Sequence, residues 1–308
     1  MRGYITLRLV QSLFTIFVVL AIVFFVARLS GDPVTLFAPA EARKADTDKL
    51  KQQLGLDKPL PVQFARFLGE AVRGDFGSSF RTNQPAMREV LERVPNTLQL
   101  SLVALLFSML ISVPAGVLSA INKGGPFDRF GKIIALVGQA MPNFWLALLL
   151  IFFFGVRLGW LPTGGKGGIS HIILPAVTLG SFTMAALMRL TRSAMLNVLD
   201  SEYVTMARAK GVPEWAVVFK HAFRNALLPV VTILGLQAGR LVAGSVIVET
   251  IFAWPGMGRL SIQAINSSDY PVVQAAILLT AASIVLANLG VDLLYAFIDP
   301  RIRFAKGR

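Results

Sequence analysis

The chain has 308 residues, 55% hydrophobic and only 15% charged, against about 25% charged in an ordinary soluble domain; disorder and a single soluble core are excluded, leaving an integral membrane protein. The net charge of +13 reads in that class as cationic loops on one membrane face rather than nucleic-acid binding. With no cysteine and two histidines, His171 and His221, disulfides, thiol nucleophiles and thiolate or histidine metal sites are excluded.

The first uncharged stretch, Leu9–Ala27, is long enough to cross a hydrocarbon core of about 30 Å as a helix. It is too long for a cleavable leader, and Arg28-Leu29-Ser30-Gly31-Asp32 follows it in place of a small-residue cleavage site. Residues 29–95 then read as a helical insertion. Glu41–Leu54 reads as a polar helix stopped by Gly55. Pro61–Arg73 places Val62, Phe64, Phe67, Leu68, Ala71 and Val72 mostly on one face and stops at Gly74. Pro85 opens a third short helix to Arg93. The insertion is either a cap resting on the membrane or a partner, or a lid with packing duties alone.

Five further spans follow: Thr97–Ile121, Ile133–Val156, Ile172–Met188, Ala226–Val248 interrupted by Arg240, and Tyr270–Val291. Pro142 beside Asn143 predicts a kink in the third. The expected fold is an all-α membrane protein with six transmembrane helices, one domain over residues 1–308. Placing the N-terminus inside puts 15 Lys/Arg in the inside segments and three, Arg157, Lys166 and Arg259, in the two short outside loops. Both termini are therefore expected in the cytoplasm, and the 29–95 insertion outside.

The cytoplasmic loop 189–225 is the richest segment. Asp200 is placed to cap a helix, with Glu202 in its first turn. Tyr203, Met206 and Ala207 form an apolar face at i, i+3, i+4, Arg208 and Lys210 fill the last turn, and Gly211 ends the helix. Pro213 starts a second helix that passes Trp215 and Phe219 to Arg224. This helix–turn–helix is either a cationic anchor on the membrane surface or a docking knob for a cytoplasmic partner; the stiff Gly-x-Pro elbow favours docking.

Residues 202–212, Glu-Tyr-Val-Thr-Met-Ala-Arg-Ala-Lys-Gly-Val, with Lys220-His221-Ala222-Phe223-Arg224-Asn225-Ala226-Leu227-Leu228-Pro229, resemble the EAA loop of ABC-importer permeases, in the dipeptide/oligopeptide/nickel branch. Leu54–Phe64, Gly74–Ser79, Val248–Leu260 and Asp269–Gln274 resemble further segments of that branch, in family order over nearly the whole chain. The name-giving acidic slot holds Thr205, which leaves the ionic contact to the ATPase to another residue, with Glu202 as the candidate.

The resemblance implies a bacterial inner-membrane permease of an ATP-driven importer of di- or oligopeptides. Nickel as a chelate, glutathione or haem are the alternative cargoes. It implies a second homologous permease subunit in a heterodimer, one or two cytoplasmic ABC ATPases and an extracytoplasmic substrate-binding protein. The coupling residues would be Glu202, Tyr203, Thr205, Met206, Ala207, Arg208, Lys210, Gly211, Pro213 and Arg224, with Arg208, Lys210 and Arg224 pairing to acidic residues of the ATPase cleft. This chain would need no cofactor, ATP and Mg²⁺ being held by the partner. The Gly/Lys cluster closest to a P-loop, Gly164-Gly165-Lys166-Gly167-Gly168, lacks P-loop spacing and reads as an outer-loop turn.

Candidates for the translocation path are Gln139, Asn143, Gln237, Arg240 and Gly244. Arg240 either meets a peptide carboxylate, or snorkels or pairs with a partner subunit. Gly235 and Gly239 form a small-residue packing face, and Gln139, Asn143 and Asn288 are placed to bond across helices. Glu249, Phe252, Pro255, Gly256 and Gly258 lie at the outer mouth, as a gate or as packing. A proton-coupled carrier is disfavoured because Asp and Glu fall only at the span ends, and an intramembrane enzyme because no catalytic motif falls in a span.

Overall fold

The computed structural model describes residues 2–29 and 57–298. The predicted polar helix Glu41–Leu54, the motif stretch from Leu54 to Leu56 and the cationic tail from Arg301 lie outside the described residues. Among the described residues every regular element is helical, and the one bridge, Ser78 to Pro85, is isolated.

In chain order the helices are α1 (Arg2–Leu29), α2 (Leu60–Val72), α3 (Ala86–Ile121), α4 (Pro126–Ala140) and α5 (Asn143–Leu150), the last running into a π-helical stretch, Ile151–Arg157. Then come α6 (Ile169–Leu199), α7 (Glu202–Ala209), α8 (Glu214–Ala216, continued by π-helical Val217–Phe223), α9 (Arg224–Ile251), α10 (Met257–Asn266) and α11 (Tyr270–Ile298). Among the described residues, four stretches within α1, α3, α6 and α11 are long and apolar enough to cross a membrane, and the number reaches six if each of two bent pairs counts as one span.

Three boundaries differ from the sequence expectation. The stretch Ile133–Val156 is not one straight helix: α4 and α5 meet at 109°. Pro142 lacks an N–H and disfavours helical backbone at the residue before it. Met141 is accordingly extended, at φ −81° and ψ 123°. The predicted short helix after Pro85 and the second span are one helix, α3, which continues through Pro95. The fourth span does not end at Met188 either. Arg189 and Arg192 are turned onto protein partners, Gln139 and Asp128, so the charges that ended the predicted span sit inside a helix running to Leu199.

The chain divides into two compact units, residues 1–97 with 255–289 and residues 98–254 with 290–308. In the first, α2 lies on α1 through an aromatic cluster. Fully buried Phe24 meets Phe64 and Phe67 at ring distances of 5.2 and 5.4 Å, and Phe67 meets Phe76 at 6.0 Å. Of the predicted apolar face of α2, Phe64, Phe67, Leu68 and Ala71 turn inward, whereas Val62 and Val72 are exposed; the buried stripe is one helical face of spacing 3 and 4. Two motif stretches then join. Ser79 Oγ donates to Asp269 Oδ2 at 2.5 Å and the Phe80 N–H to Asp269 Oδ1 at 3.2 Å, with both side chains of the Ser79–Asp269 pair buried. This fixes the insertion to the start of α11.

In the second unit α6 is the central helix. One core cluster joins Leu100 and Ala104 of α3, Ala147 of α5, Ile172, Leu174, Ala176 and Leu179 of α6, and Leu241, Val248, Phe252 and Trp254. Ser108 of α3 donates to the carbonyl of Gly180 at 2.9 Å, holding the two helices at close range.

Candidate functional site

The elbow between α6 and α9 is built by local rules. Ser201, not Asp200, is the N-cap of α7, with extended backbone at φ −76° and ψ 152°. Asp200 instead closes α6, because its N–H still bonds back to Leu196 and Val198. Glu202 occupies the first turn, where the helix dipole favours an anion. At the other end the Gly211 N–H bonds to the Arg208 carbonyl at 2.9 Å and the Val212 N–H to the Ala207 carbonyl at 3.2 Å. Gly211 sits at φ +76°, a conformation in which a side chain is strained. Pro213 is the N-cap of α8, one position earlier than its sequence reading. Its carbonyl accepts the N–H groups of Ala216 and Val217.

The elbow has two faces. Its inner face is a core: Val204 and Val217 are fully buried with Val218, Ala222 and Ala226, against Val117 and Ala120 of α3 and Ala194, Met195 and Leu199 of α6. Its outer face carries large apolar groups in the open, with Tyr203 45%, Met206 59%, Trp215 70% and Phe219 56% exposed. Ala207 is half-buried, and Thr205, Lys210 and Arg224 are exposed. The two legs are tied by the Asn225 amide donating to Tyr203 Oη at 2.9 Å. They are tied again by Arg208, which forks onto Glu214 at 2.7 and 3.2 Å. That hydrogen bond holds the Glu214 carboxyl below its ordinary range. Arg208, expected from the resemblance to face a partner's acidic cleft, thus braces the elbow within this chain.

Val204, Trp215, Phe219 and Glu214 are the members that sequence reasoning missed. Val204 is recoverable from the pattern, since it lies opposite Tyr203 and Met206 on a two-turn helix. The Arg208–Glu214 pair is not, because its spacing of six residues crosses a turn.

The expected path residues fall in several places. Gln139 at the end of α4 accepts a hydrogen bond from Arg189. Asn143 opens α5 just past the break. Gln237 is buried on α9, which also carries positions 240 and 244; the surroundings of Arg240 and Gly244 lie outside what is described. The structure therefore brings Gln139 and Asn143 to the two sides of the α4–α5 break.

The residues assigned to the outer mouth divide between the two units. In one, Glu249 and Phe252 are fully buried. The Glu249 carbonyl accepts the Trp254 N–H at 2.8 Å, across a turn in which Ala253 takes φ +51°. The glycine cluster proves to be the clasp of this turn. The Gly165 N–H donates to the Phe252 carbonyl at 2.7 Å, and Lys166 Nζ lies over the Trp254 ring at 6.0 Å. A Cβ on Gly164 would stand 2.6 Å from the Phe252 oxygen, so only glycine allows this approach. In the other unit, the Pro255 carbonyl accepts from the Asn96 amide at 2.7 Å and the Met257 N–H donates to Thr97 Oγ1 at 2.9 Å. Gly256 is the N-cap of α10, and Gly258 is buried in its first turn.

Residues 112–304 match the family described as binding-protein-dependent transport system inner membrane component, and residues 1–101 match the N-terminal region of such membrane components. The chain is 44% identical over 305 residues to the glutathione transport system permease protein GsiC of Escherichia coli, covering 99% of this chain and 100% of the relative. The protein of the same description from Pectobacterium atrosepticum is 44% identical, and that from Salmonella paratyphi A is 43% identical, with the same coverage.

Proposed function

The chain belongs to the inner-membrane components of binding-protein-dependent transport systems, the permeases of ABC importers, and from that premise we propose a place and a cargo for it. The proposed place is one of two homologous permease subunits in a heterodimer. An extracytoplasmic binding protein would deliver cargo, and one or two cytoplasmic ATPases, which hold the ATP and Mg²⁺, would drive it. Both termini and the elbow would then face the cytoplasm, as the distribution of Lys and Arg argues.

The observation that carries this reading is the two-faced elbow. A segment with a fully buried inner face transmits displacement, because packed helices move as rigid bodies. A neighbouring outer face of exposed Tyr203, Met206, Trp215 and Phe219 offers apolar area to a partner in the helix-in-groove mode. Closure of the ATPase pair would push on this face, and the core under it would pass the movement to α3 and α6.

The proposed cargo is short peptides, with glutathione the first to test. Full-length relatives at 43–44% identity are named glutathione transport permeases, and glutathione is itself a tripeptide bearing free carboxylates. The test is uptake of labelled glutathione, a dipeptide, a tetrapeptide and nickel in a deletion strain, with and without this chain restored. Restored glutathione or dipeptide uptake that vanishes on ATP depletion is the expected result. Restored nickel uptake without either peptide would overturn the cargo, and peptide uptake that survives ATP depletion would overturn the machine.

A further inference from the structure

Asp128, the partner of Arg192, lies in the first turn of α4 and is fully buried. Four donors from three helices and a turn converge on it. Arg192 of α6 forks onto it with Nε to Oδ1 at 2.6 Å and Nη2 to Oδ2 at 3.0 Å. Ser119 Oγ of α3 donates at 2.6 Å, the Gly124 N–H at 2.9 Å and Lys132 Nζ of α4 at 2.8 Å. A buried carboxylate is retained only where its lone pairs are satisfied this fully, and the planar two-pronged contact fixes orientation as well as distance.

The anchors are the informative part. Ser119 lies between Val117 and Ala120 on α3, and Arg192 lies two residues before Ala194 and three before Met195 on α6. Those four residues are the floor of the elbow's core. Asp128 therefore hooks α4 onto the two helical turns that carry the elbow. Further along, Ala135 packs on Ala185 and Met188, so α4 follows α6 as one body up to its end at Ala140. There the 109° break begins, flanked by Gln139 and Asn143.

We propose that Asp128, gripped by Arg192, is the positioning residue that makes α4 move with the coupling elbow, so that ATP-driven displacement reaches the α4–α5 break. This rests on the elbow being the ATPase contact. A short contact between α3, α4 and α6 alone would hold the helices together but leave them free to slide; the fork prevents sliding, because a shift of one helix along the other removes both of its hydrogen bonds at once.

The test uses the intact importer in liposomes, with this chain, its partner permease, the ATPases and the binding protein, and labelled glutathione and a dipeptide as probes. Uptake and ATP hydrolysis are measured together. Asp128→Asn is expected to leave hydrolysis near its native rate and to lower cargo moved per ATP about tenfold, inside the range of about 5–150-fold that coupling between sites spans. Arg192→Lys keeps the charge but loses the fork; it is expected to act in the same direction and decides the matter if Asp128→Asn does not assemble. A structural reporter accompanies both. The chain has no cysteine, so spin labels at Leu136→Cys on α4 and Ala209→Cys on the elbow report one distance. That distance is expected to be the same before and after trapping with ATP and vanadate in the native background, and to change on trapping when Asp128 is replaced. Uptake and hydrolysis falling in proportion, or an unchanged yield per ATP in both variants, would overturn the proposal. Gly211→Pro in the same liposomes separates the premise from the inference: normal uptake with it would reject the elbow as the coupling element, whereas lost uptake with it and normal coupling in the Asp128 and Arg192 variants would reject only the inference.

Discussion

Replacing Trp215 with alanine separates a docking knob from a membrane anchor. The indole is 70% exposed; a Trp presents roughly 200 Å², so roughly 140 Å² is open to burial by a partner. At about 25 cal/mol per Å² this is worth up to about 3.5 kcal/mol. Ordering costs at an interface reduce it, leaving about 2 kcal/mol, which is about 30-fold in Kd. Because the side chain adds little to this chain's own core, folding should change by no more than about 0.5 kcal/mol. The assay is binding of the purified ATPase to the detergent-solubilised permease, with thermal unfolding measured beside it. Val204→Ala is the contrasting variant: Val204, on the neighbouring helix α7, is fully buried in the elbow's core, and its loss should cost about 1–3 kcal/mol of stability. Unchanged ATPase affinity in the Trp215 variant, together with weaker partition onto anionic vesicles, would refute the docking reading and favour the anchor.

Three further outcomes follow from the geometry. Gly211→Val should cost at least about 1–2 kcal/mol from the φ of +76°. Gly211→Asn should cost less, since Asn tolerates that conformation; thermal unfolding in detergent ranks the two. Gly164→Ala should push the glycine clasp off the Phe252 carbonyl, destabilise the chain by about 1–3 kcal/mol and lower uptake, read by unfolding and transport together. Glu214→Gln should cost at most about 1 kcal/mol, because the pair with Arg208 is half exposed. The folded carboxyl sits below its ordinary value, so the pair's contribution is present at neutral pH and lost as pH falls. The gap in unfolding temperature between native and variant should therefore close below about pH 4.

The elbow was legible because its signals are local: a first-turn acid, an apolar spacing of three and four, a glycine past the last turn and a proline after it. The choice between Asp200 and Ser201 as cap was not, because it depends on whether α6 has ended, and α6 runs on through Arg189 and Arg192. Counting uncharged residues cannot foresee a half-buried Arg whose partner, the buried Asp128, lies 64 positions away. Still longer separations in sequence hid the clasp between Gly165 and Phe252 and the bond between Ser79 and Asp269. Pro142 announced a kink, but its angle is set by packing on α6 and α9, which no dipeptide encodes. The aromatic face of the elbow was half visible: Tyr203 and Met206 follow from α7 alone, whereas Trp215 and Phe219 join them only once the turn at Gly211 sets the second leg.

The most direct test of the account is ATP hydrolysis by the partner ATPase in liposomes carrying the assembled importer, recorded as glutathione-loaded binding protein is added. With the native elbow, hydrolysis should rise with the loaded binding protein and labelled glutathione should accumulate beyond the membrane in step with it. With Gly211→Pro the ATPase should no longer respond and glutathione should not accumulate, although the chain still inserts. Stimulated hydrolysis and normal accumulation with that variant would contradict the claim that this elbow couples ATP to transport.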